Sequence, residues 1–283
     1  MKRKTCLHIL LVVCLLGWSG VVSAAPADTI RILCIGNSFS WDAVEQELAP
    51  LCEAAEQPVL IGNLYYGGCS LEQHWTFLDK DTAAYSFRLI ENGERRLIEP
   101  FSLRQALRLR QWDYISFQQA SHDSGIAQSY EPFLSSLMDS VRAYQPSAQF
   151  CWMQTWSYAQ DARHPAFPRY QQSQQIMNDS ILVATRLVLQ AHPMLLLIPC
   201  GTAVQNARHT MGDVLCRDGY HLNYVFGRYT ASCVWYEILT GKSCLRNPYR
   251  NPNMTAKQQK QTQKAAHQAI KHPFVQKNAK KMR

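Results

Sequence analysis

The most constraining feature of this chain is an alternation that begins at Ile30. Short, continuously apolar runs are separated by longer stretches with apolar residues at helical spacing. Candidate strands occupy 30–35, 58–61, 113–117, 149–154 and 194–198. Helical patterns cover 42–56, 103–110, 131–144, 173–190, 225–239 and 256–270. Strands alternating with helices form parallel βαβ units, and strands that are apolar throughout need cover on both faces. The expected fold is therefore α/β, a doubly wound parallel sheet of five strands. One stretch departs from the pattern. Residues 86–98 read as two strand-like arms around Glu91-Asn92-Gly93, a turn whose Asn and Gly tolerate positive φ. This hairpin is expected as an insertion on the rim. No Gly/Ser-rich or Pro-rich linker and no internal repeat interrupts the chain, so one domain is expected over 25–272, with a disordered basic tail over 273–283.

The two ends of the chain differ from its body. Lys2, Arg3 and Lys4 precede an apolar run from Leu7 to Trp18, and Val22-Ser23-Ala24 follows with small residues at cleavage positions. This reads as a signal peptide over 1–24 cut after Ala24, which predicts an exported protein, periplasmic or secreted. The apolar run is short for a membrane span, and no later stretch is longer, so no span is expected after cleavage. The net charge of +8 comes from the ends. Residues 1–24 carry three basic groups and residues 257–283 carry eight, with no acidic group in either, which leaves 18 basic against 21 acidic in 25–256. The basic tail lacks interleaved aromatics, so no nucleic-acid partner is expected. Of ten cysteines, Cys34, Cys151, Cys200 and Cys233 sit inside apolar runs and read as buried thiols, although an exported chain can also form a bridge or two.

In open α/β sheets, ligands bind beyond the carboxyl ends of the strands. The polar residues there are Gly36-Asn37-Ser38 after the first strand, Gly67-Gly68-Cys69-Ser70 after the second, and Gln118-Gln119-Ala120-Ser121-His122 after the third. Asp218-Gly219-Tyr220-His221 precedes a late helix. Together they supply the parts of a serine esterase. Ser38 stands where a strand hands over to a helix, and its hydroxyl needs a base to become a nucleophile. His221 can be that base, and Asp218 can accept the other ring N–H and fix the tautomer. The backbone N–H groups of Ser38 and Gly68 can receive the oxyanion, with the side-chain amide of Gln118 as a third donor and Gln119 in reserve.

These blocks, in this order, resemble the SGNH (GDSL-type) hydrolase superfamily. Gly36-Asn37-Ser38 matches its G-D-S block with Asn for Asp, Gly68-Cys69-Ser70 its oxyanion glycine, and Asp218 to His221 its D-x-x-H. The strings GGCSLEQHW (67–75) and DGYHLN (218–223) are similar to an exported bacterial branch of that superfamily. The third block departs, because Gln118-Gln119 stands where the family has Asn. The resemblance implies a flavodoxin-like three-layer α/β/α sandwich. It also implies hydrolysis of a small acyl ester, with acetyl on a carbohydrate expected, and a small-molecule or glycan ester as partner. A lipid or thioester acyl substrate, or glycan binding without catalysis, is the alternative.

Asn37, His74, His122 and Trp156 are expected to contact substrate, the last as an aromatic platform. His122 and Asp123, being adjacent, are expected to line the rim rather than pair. Asp42 reads equally as a helix cap or a ligand contact. No HExxH, EF-hand, P-loop or dinucleotide pattern occurs, so neither a metal nor a cofactor is expected.

Overall fold

Successive residues of the strand β1 (Ile30–Gly36) enter two separate cores, because side chains alternate across a sheet. Ile32 and Cys34 join one apolar cluster, and Leu33 and Ile35 join the other. In this computed structural model, which describes residues 28–275, the chain continues through α1 (Ser38–Val44), α2 (Leu48–Glu53), β2 (Val59–Tyr65) and α3 (Leu71–Asp79). A hairpin follows, β3 (Tyr85–Glu91) and β4 (Glu94–Phe101), then α4 (Leu103–Leu109) and β5 (Tyr114–Phe117). The remainder is α5 (Phe133–Tyr144), β6 (Gln149–Met153), α6 (Gln174–Ala191), β7 (Leu196–Ile198), α7 (Cys200–Met211), α8 (Phe226–Thr240) and α9 (Ala256–Lys271).

The sheet order is β4-β3-β2-β1-β5-β6-β7. The five strands β2, β1, β5, β6 and β7 are mutually parallel, as the alternation predicts. Helices α1, α2, α7, α8 and α9 contribute to the cluster on one face, while α3, α4 and α5 contribute to the other. The result is a three-layer α/β fold. From β1 the chain crosses to β2 on one side and later to β5 on the other. That reversal opens a crevice at the carboxyl end of β1, where open sheets of this kind bind ligands.

Three expectations need correction. The hairpin is part of the sheet, since β3 pairs antiparallel with the outer edge of β2 from Leu60 to Tyr65, making seven strands rather than five. Its turn is as expected, with positive φ at Asn92 and Gly93. The helix expected over 42–56 is two helices, and the first begins at Ser38. Pro50 has no N–H to continue a helix and is tolerated in the first turn of a new one, so α2 starts just before it. Finally, Pro273 accepts a hydrogen bond from Thr202 Oγ1 at 2.6 Å and Phe274 lies under the Arg186 guanidinium at 4.7 Å, so the first residues of the expected disordered tail are packed. The expected leader over 1–24 and the tail beyond residue 275 lie outside the described residues.

Helices α3 and α7 carry no counterpart among the sequence expectations. For α3 a signal exists: Ser70 and Gln73 form a reciprocal capping box, the S-x-x-Q pattern of a helix start. All eight described cysteines are free thiols, seven of them buried, so no bridge forms among them. Burial pushes the Cys34 and Cys52 thiols up to about 12.

Candidate active site

The crevice is assembled around Asn37, in the turn between β1 and α1. Gly36 is required there, since a Cβ on it would lie 2.3 Å from Ser40 Oγ and 3.1 Å from Gln118 Oε1. Asn37 has extended backbone and caps α1, its Oδ1 accepting from the Phe39 N–H at 2.9 Å. The same oxygen accepts from Gln118 Nε2 at 2.8 Å, and Asn37 Nδ2 donates to the Cys69 carbonyl at 3.0 Å. One buried amide thus ties together the turns after β1, β2 and β5. Ser38, the first residue of α1, remains half-buried beside this hub.

Gly68 sits in a tight turn closed by the Cys69 N–H on the Tyr66 carbonyl at 3.2 Å. It is exposed, and its φ of +64° favours glycine although a Cβ would meet nothing within 4 Å. Because Cys69 is bonded to Asn37, the Gly68 turn is held against the Ser38 turn.

His221 and Asp218 form the other wall. His221 Nδ1 lies 2.7 Å from Asp218 Oδ2, while Asp218 Oδ1 accepts the backbone N–H groups of His221 at 2.8 Å and Tyr220 at 3.2 Å. Partial burial works to raise the Asp218 carboxyl, but these hydrogen bonds outweigh it and hold the group below its ordinary value. With Nδ1 engaged, Nε2 is the nitrogen left to exchange a proton. The loop is fixed from several sides. Tyr220 O accepts from Trp156 Nε1 at 2.8 Å, Gly219 O accepts from the Ala159 N–H at 2.7 Å, and the Leu222 N–H donates to Asp42 Oδ2 at 2.7 Å. Trp156 stacks on Phe39 at 4.1 Å, and the Phe39 ring meets His221 edge-on at 6.1 Å, so the residue after Ser38 packs directly beneath the histidine.

Several expected site residues have other roles. Asn37 is 1% exposed and spends its amide on the hub described above, so it organises the crevice rather than facing substrate. Gln118 is 2% exposed and directs its amide to Asn37, so that amide is spent inside the hub rather than presented to the crevice as a third donor. Gln119 is fully engaged: Oε1 accepts from the Leu71 and Ala120 N–H groups, and Nε2 donates to Ser129. Trp156 is wholly buried and supports the His221 loop, so it offers no platform. His74 is also wholly buried, stacked against Tyr85 with Nδ1 2.8 Å from the Tyr85 hydroxyl. Burial depresses its imidazole to about 3, and it faces the core because α3 turns that side inward.

His122 does stand at the rim, half-buried. Contrary to expectation, its Nε2 lies 3.4 Å from Asp123 Oδ2, but Asp123 is held more closely by Arg169 Nη1 at 2.7 Å. Asp42 is neither cap nor ligand contact. It is wholly buried between Arg217 and Arg228. Burial holds its carboxyl above the ordinary value, against the opposing pull of the two guanidinium groups and of His221.

Sequence reasoning missed a ring cluster beside His221. Tyr220 lies 4.3 Å from the His221 ring, His164 lies 4.9 Å from Tyr220, and Tyr158 lies 4.7 Å from His164. His164 Nδ1 accepts the Ala166 N–H at 3.1 Å, so the neutral ring carries its proton on Nε2 as a donor. Burial, with His122 and His221 adding to it, lowers the imidazole and favours that neutral form. His164 lies in the long loop after β6, a position the strand-end rule covers. A surface cavity of about 530 Å³ lies elsewhere, at the amino end of β2 between Pro50, Val59 and Ile90. Among the described residues, no group of three or more His, Cys, Asp or Glu is placed to hold a metal ion.

The family described as "Domain of unknown function (DUF4886)" matches residues 31–269. The chain belongs to that family. A DUF4886 protein from Bacteroides uniformis is 43% identical, covering 88% of this chain and 97% of that one, with a TM-score of 0.86. The fold is also that of SGNH hydrolases. A candidate SGNH hydrolase from Slackia heliotrinireducens is 22% identical over 75% of this chain and 99% of its own, with a TM-score of 0.54. A candidate GDSL-like lipase from Parabacteroides merdae is 15% identical over 77% of this chain and 99% of its own, with a TM-score of 0.51. No protein of curated function matches the sequence.

Proposed function

We propose that this DUF4886 protein is an exported serine esterase that hydrolyses a small acyl ester through Ser38, His221 and Asp218. The observation that carries the reading is the His221–Asp218 pair, with Nδ1 on the carboxylate at 2.7 Å. The chain is thereby left with a free imidazole nitrogen on a loop packed against the residue that follows Ser38. His221 Nε2 takes the Ser38 proton as Oγ attacks the ester carbonyl carbon. The backbone N–H groups of Ser38 and Gly68 receive the oxyanion. Collapse of the tetrahedral intermediate breaks the bond to the alcohol, which leaves with the proton from His221. Water then attacks the acyl-serine by the same steps and frees the carboxylic acid.

An acetyl group on a carbohydrate is our reading of the natural substrate. Tyr220, His164 and His122 form a partly exposed rim of rings beside His221, a surface suited to the apolar face of a sugar. These rings take the platform role that buried Trp156 cannot fill. Export is supported by the leader pattern in residues 1–24.

The test pairs p-nitrophenyl acetate hydrolysis with labelling by a fluorophosphonate, which reacts with activated serines. Both should occur in the mature protein and vanish in Ser38→Ala at an unchanged thermal midpoint. A folded wild-type protein silent in both assays would move the reading to glycan binding without catalysis.

A further inference from the structure

We infer that Asp42 is a positioning residue that sets the relation between the Ser38 helix and the His221 loop. Asp42 follows Ser38 by four residues on α1, so the two share one helix face, a turn apart. Its carboxylate is wholly buried and spans to the loop that carries the base. Oδ2 accepts the N–H of Leu222, the residue after His221, at 2.7 Å. Arg217, the residue before Asp218, donates Nη1 to both carboxylate oxygens at 3.0 and 3.1 Å. The same Nη1 contacts the Leu222 carbonyl, and the Arg217 N–H donates to His221 O at 2.9 Å. Both ends of the Asp218–His221 segment therefore converge on one carboxylate.

The other side of Asp42 is anchored in the core. Arg228, in the first turn of α8, donates Nε at 3.0 Å and Nη2 at 2.6 Å to Oδ1. Its guanidinium lies over Trp41 at 5.2 Å and Tyr224 at 4.5 Å, and donates to Gln46 at 3.0 Å. Arg217 lies over the same Tyr224 ring at 4.9 Å. The groups hydrogen-bonded to the carboxylate are thus two fixed cations and one peptide N–H, with His221 acting on it at longer range. If Asp42 served the core alone, Arg228 would suffice to neutralise it. The contacts to Arg217 and Leu222 reach specifically to the segment whose placement proton transfer requires.

The inference rests on the serine-esterase reading, and its test separates the two. Hydrogen exchange across residues 215–224 is measured in the wild type and in Asp42→Asn, without reference to activity. The amide at Leu222 should exchange faster in the variant while the β1 amides stay protected. Unchanged protection of that segment would overturn the inference. In parallel, p-nitrophenyl acetate kinetics should show kcat reduced about 10²-fold in Asp42→Asn with KM unchanged, the scale expected for misplacing a reacting group. In a His221→Ala background the same substitution should add no further loss, because its effect passes through the histidine. An additive loss there would assign Asp42 to the core alone. Should Asp42→Asn fail to fold, Arg217→Gln removes the guanidinium tie from the loop side and leaves the Leu222 N–H and Arg228 contacts to Asp42 intact. Residues 215–224 should then exchange faster and kcat should fall, by less than in Asp42→Asn, and an unchanged segment with unchanged kcat would overturn the inference. A wild type inert to ester and fluorophosphonate would overturn the esterase reading, and the exchange data would still decide the tie.

Discussion

The floor and the wall of the crevice use polar residues in opposite ways. The floor comprises Asn37, Gln118 and Gln119, with His74 behind it, each no more than 2% exposed. There every amide is spent on another part of the protein. The wall, residues 218–221 with His164, leaves side chains half-buried or exposed. Its carboxylate orients an imidazole that keeps one nitrogen uncommitted. The contrast is sharpest between the two histidines. His74 meets a neutral Tyr85 hydroxyl in a dry core, whereas His221 meets the carboxylate of Asp218. Partner and solvation, rather than residue type or proximity in sequence to a motif, separate a structural histidine from a candidate base.

The comparison can be broken most decisively by exchanging its two histidines for other residues. His221→Ala should reduce kcat for p-nitrophenyl acetate by about 10³-fold or more with little change in Tm, as removal of a triad member does. Equal losses from His74→Gln, measured per folded molecule, would erase the distinction.

Acid titration sharpens it from the other direction. His74 is depressed to about 3, so between its ordinary value of 6.5 and that point the unfolded chain binds a proton that the folded chain does not. Stability from this group is present above pH 6.5 and is lost as pH falls toward 3, by about 1.4 kcal/mol per pH unit. Urea unfolding at pH 7 and pH 5 should show a shallower acid loss for His74→Gln, which keeps a partner for Tyr85. Parallel slopes would show that His74 titrates normally.

Gln118 tests the floor. As a support for Asn37, Gln118→Ala should cost about 1–3 kcal/mol of stability by leaving Asn37 Oδ1 short of a donor, with kcat within about tenfold of wild type. A fall of about 10²-fold or more in kcat at unchanged stability would make it a direct oxyanion donor. The smallest effect is expected at the rim. His164→Ala should raise KM for a glycan ester by about 2- to 10-fold, about 0.5–1.4 kcal/mol, and leave p-nitrophenyl acetate kinetics unchanged. Equal effects on both substrates would remove the rim from recognition.

Much of the fold was legible because burial on both faces writes itself into strands as apolar runs. All five parallel strands were visible for that reason, as were the strand ends that bring Gly36-Asn37-Ser38, Gly68 and Gln118 together. The hairpin was visible too, through Asn92-Gly93, but its pairing was not. Joining the edge of β2 depends on backbone groups that every residue carries alike. Helix α7 was hidden because its first turn is Cys200-Gly201-Thr202 after Pro199, with no side-chain cap to announce it.

The sequence by itself determined the layer order, the strand ends and the D-x-x-H spacing that lets Asp218 reach the His221 ring on one short loop. Local chain geometry suffices for each of these. Only the tertiary structure decided which polar residues keep a free function. Asn37 and Gln118 consume one another across 81 positions, and Asp42 is claimed by Arg217, Arg228 and the Leu222 amide from the far end of the chain. A buried polar group takes whatever partner the fold brings within about 3 Å, since leaving it unpaired is costly. That partner is set by the packing of distant elements and leaves no mark on the residue's neighbours in sequence.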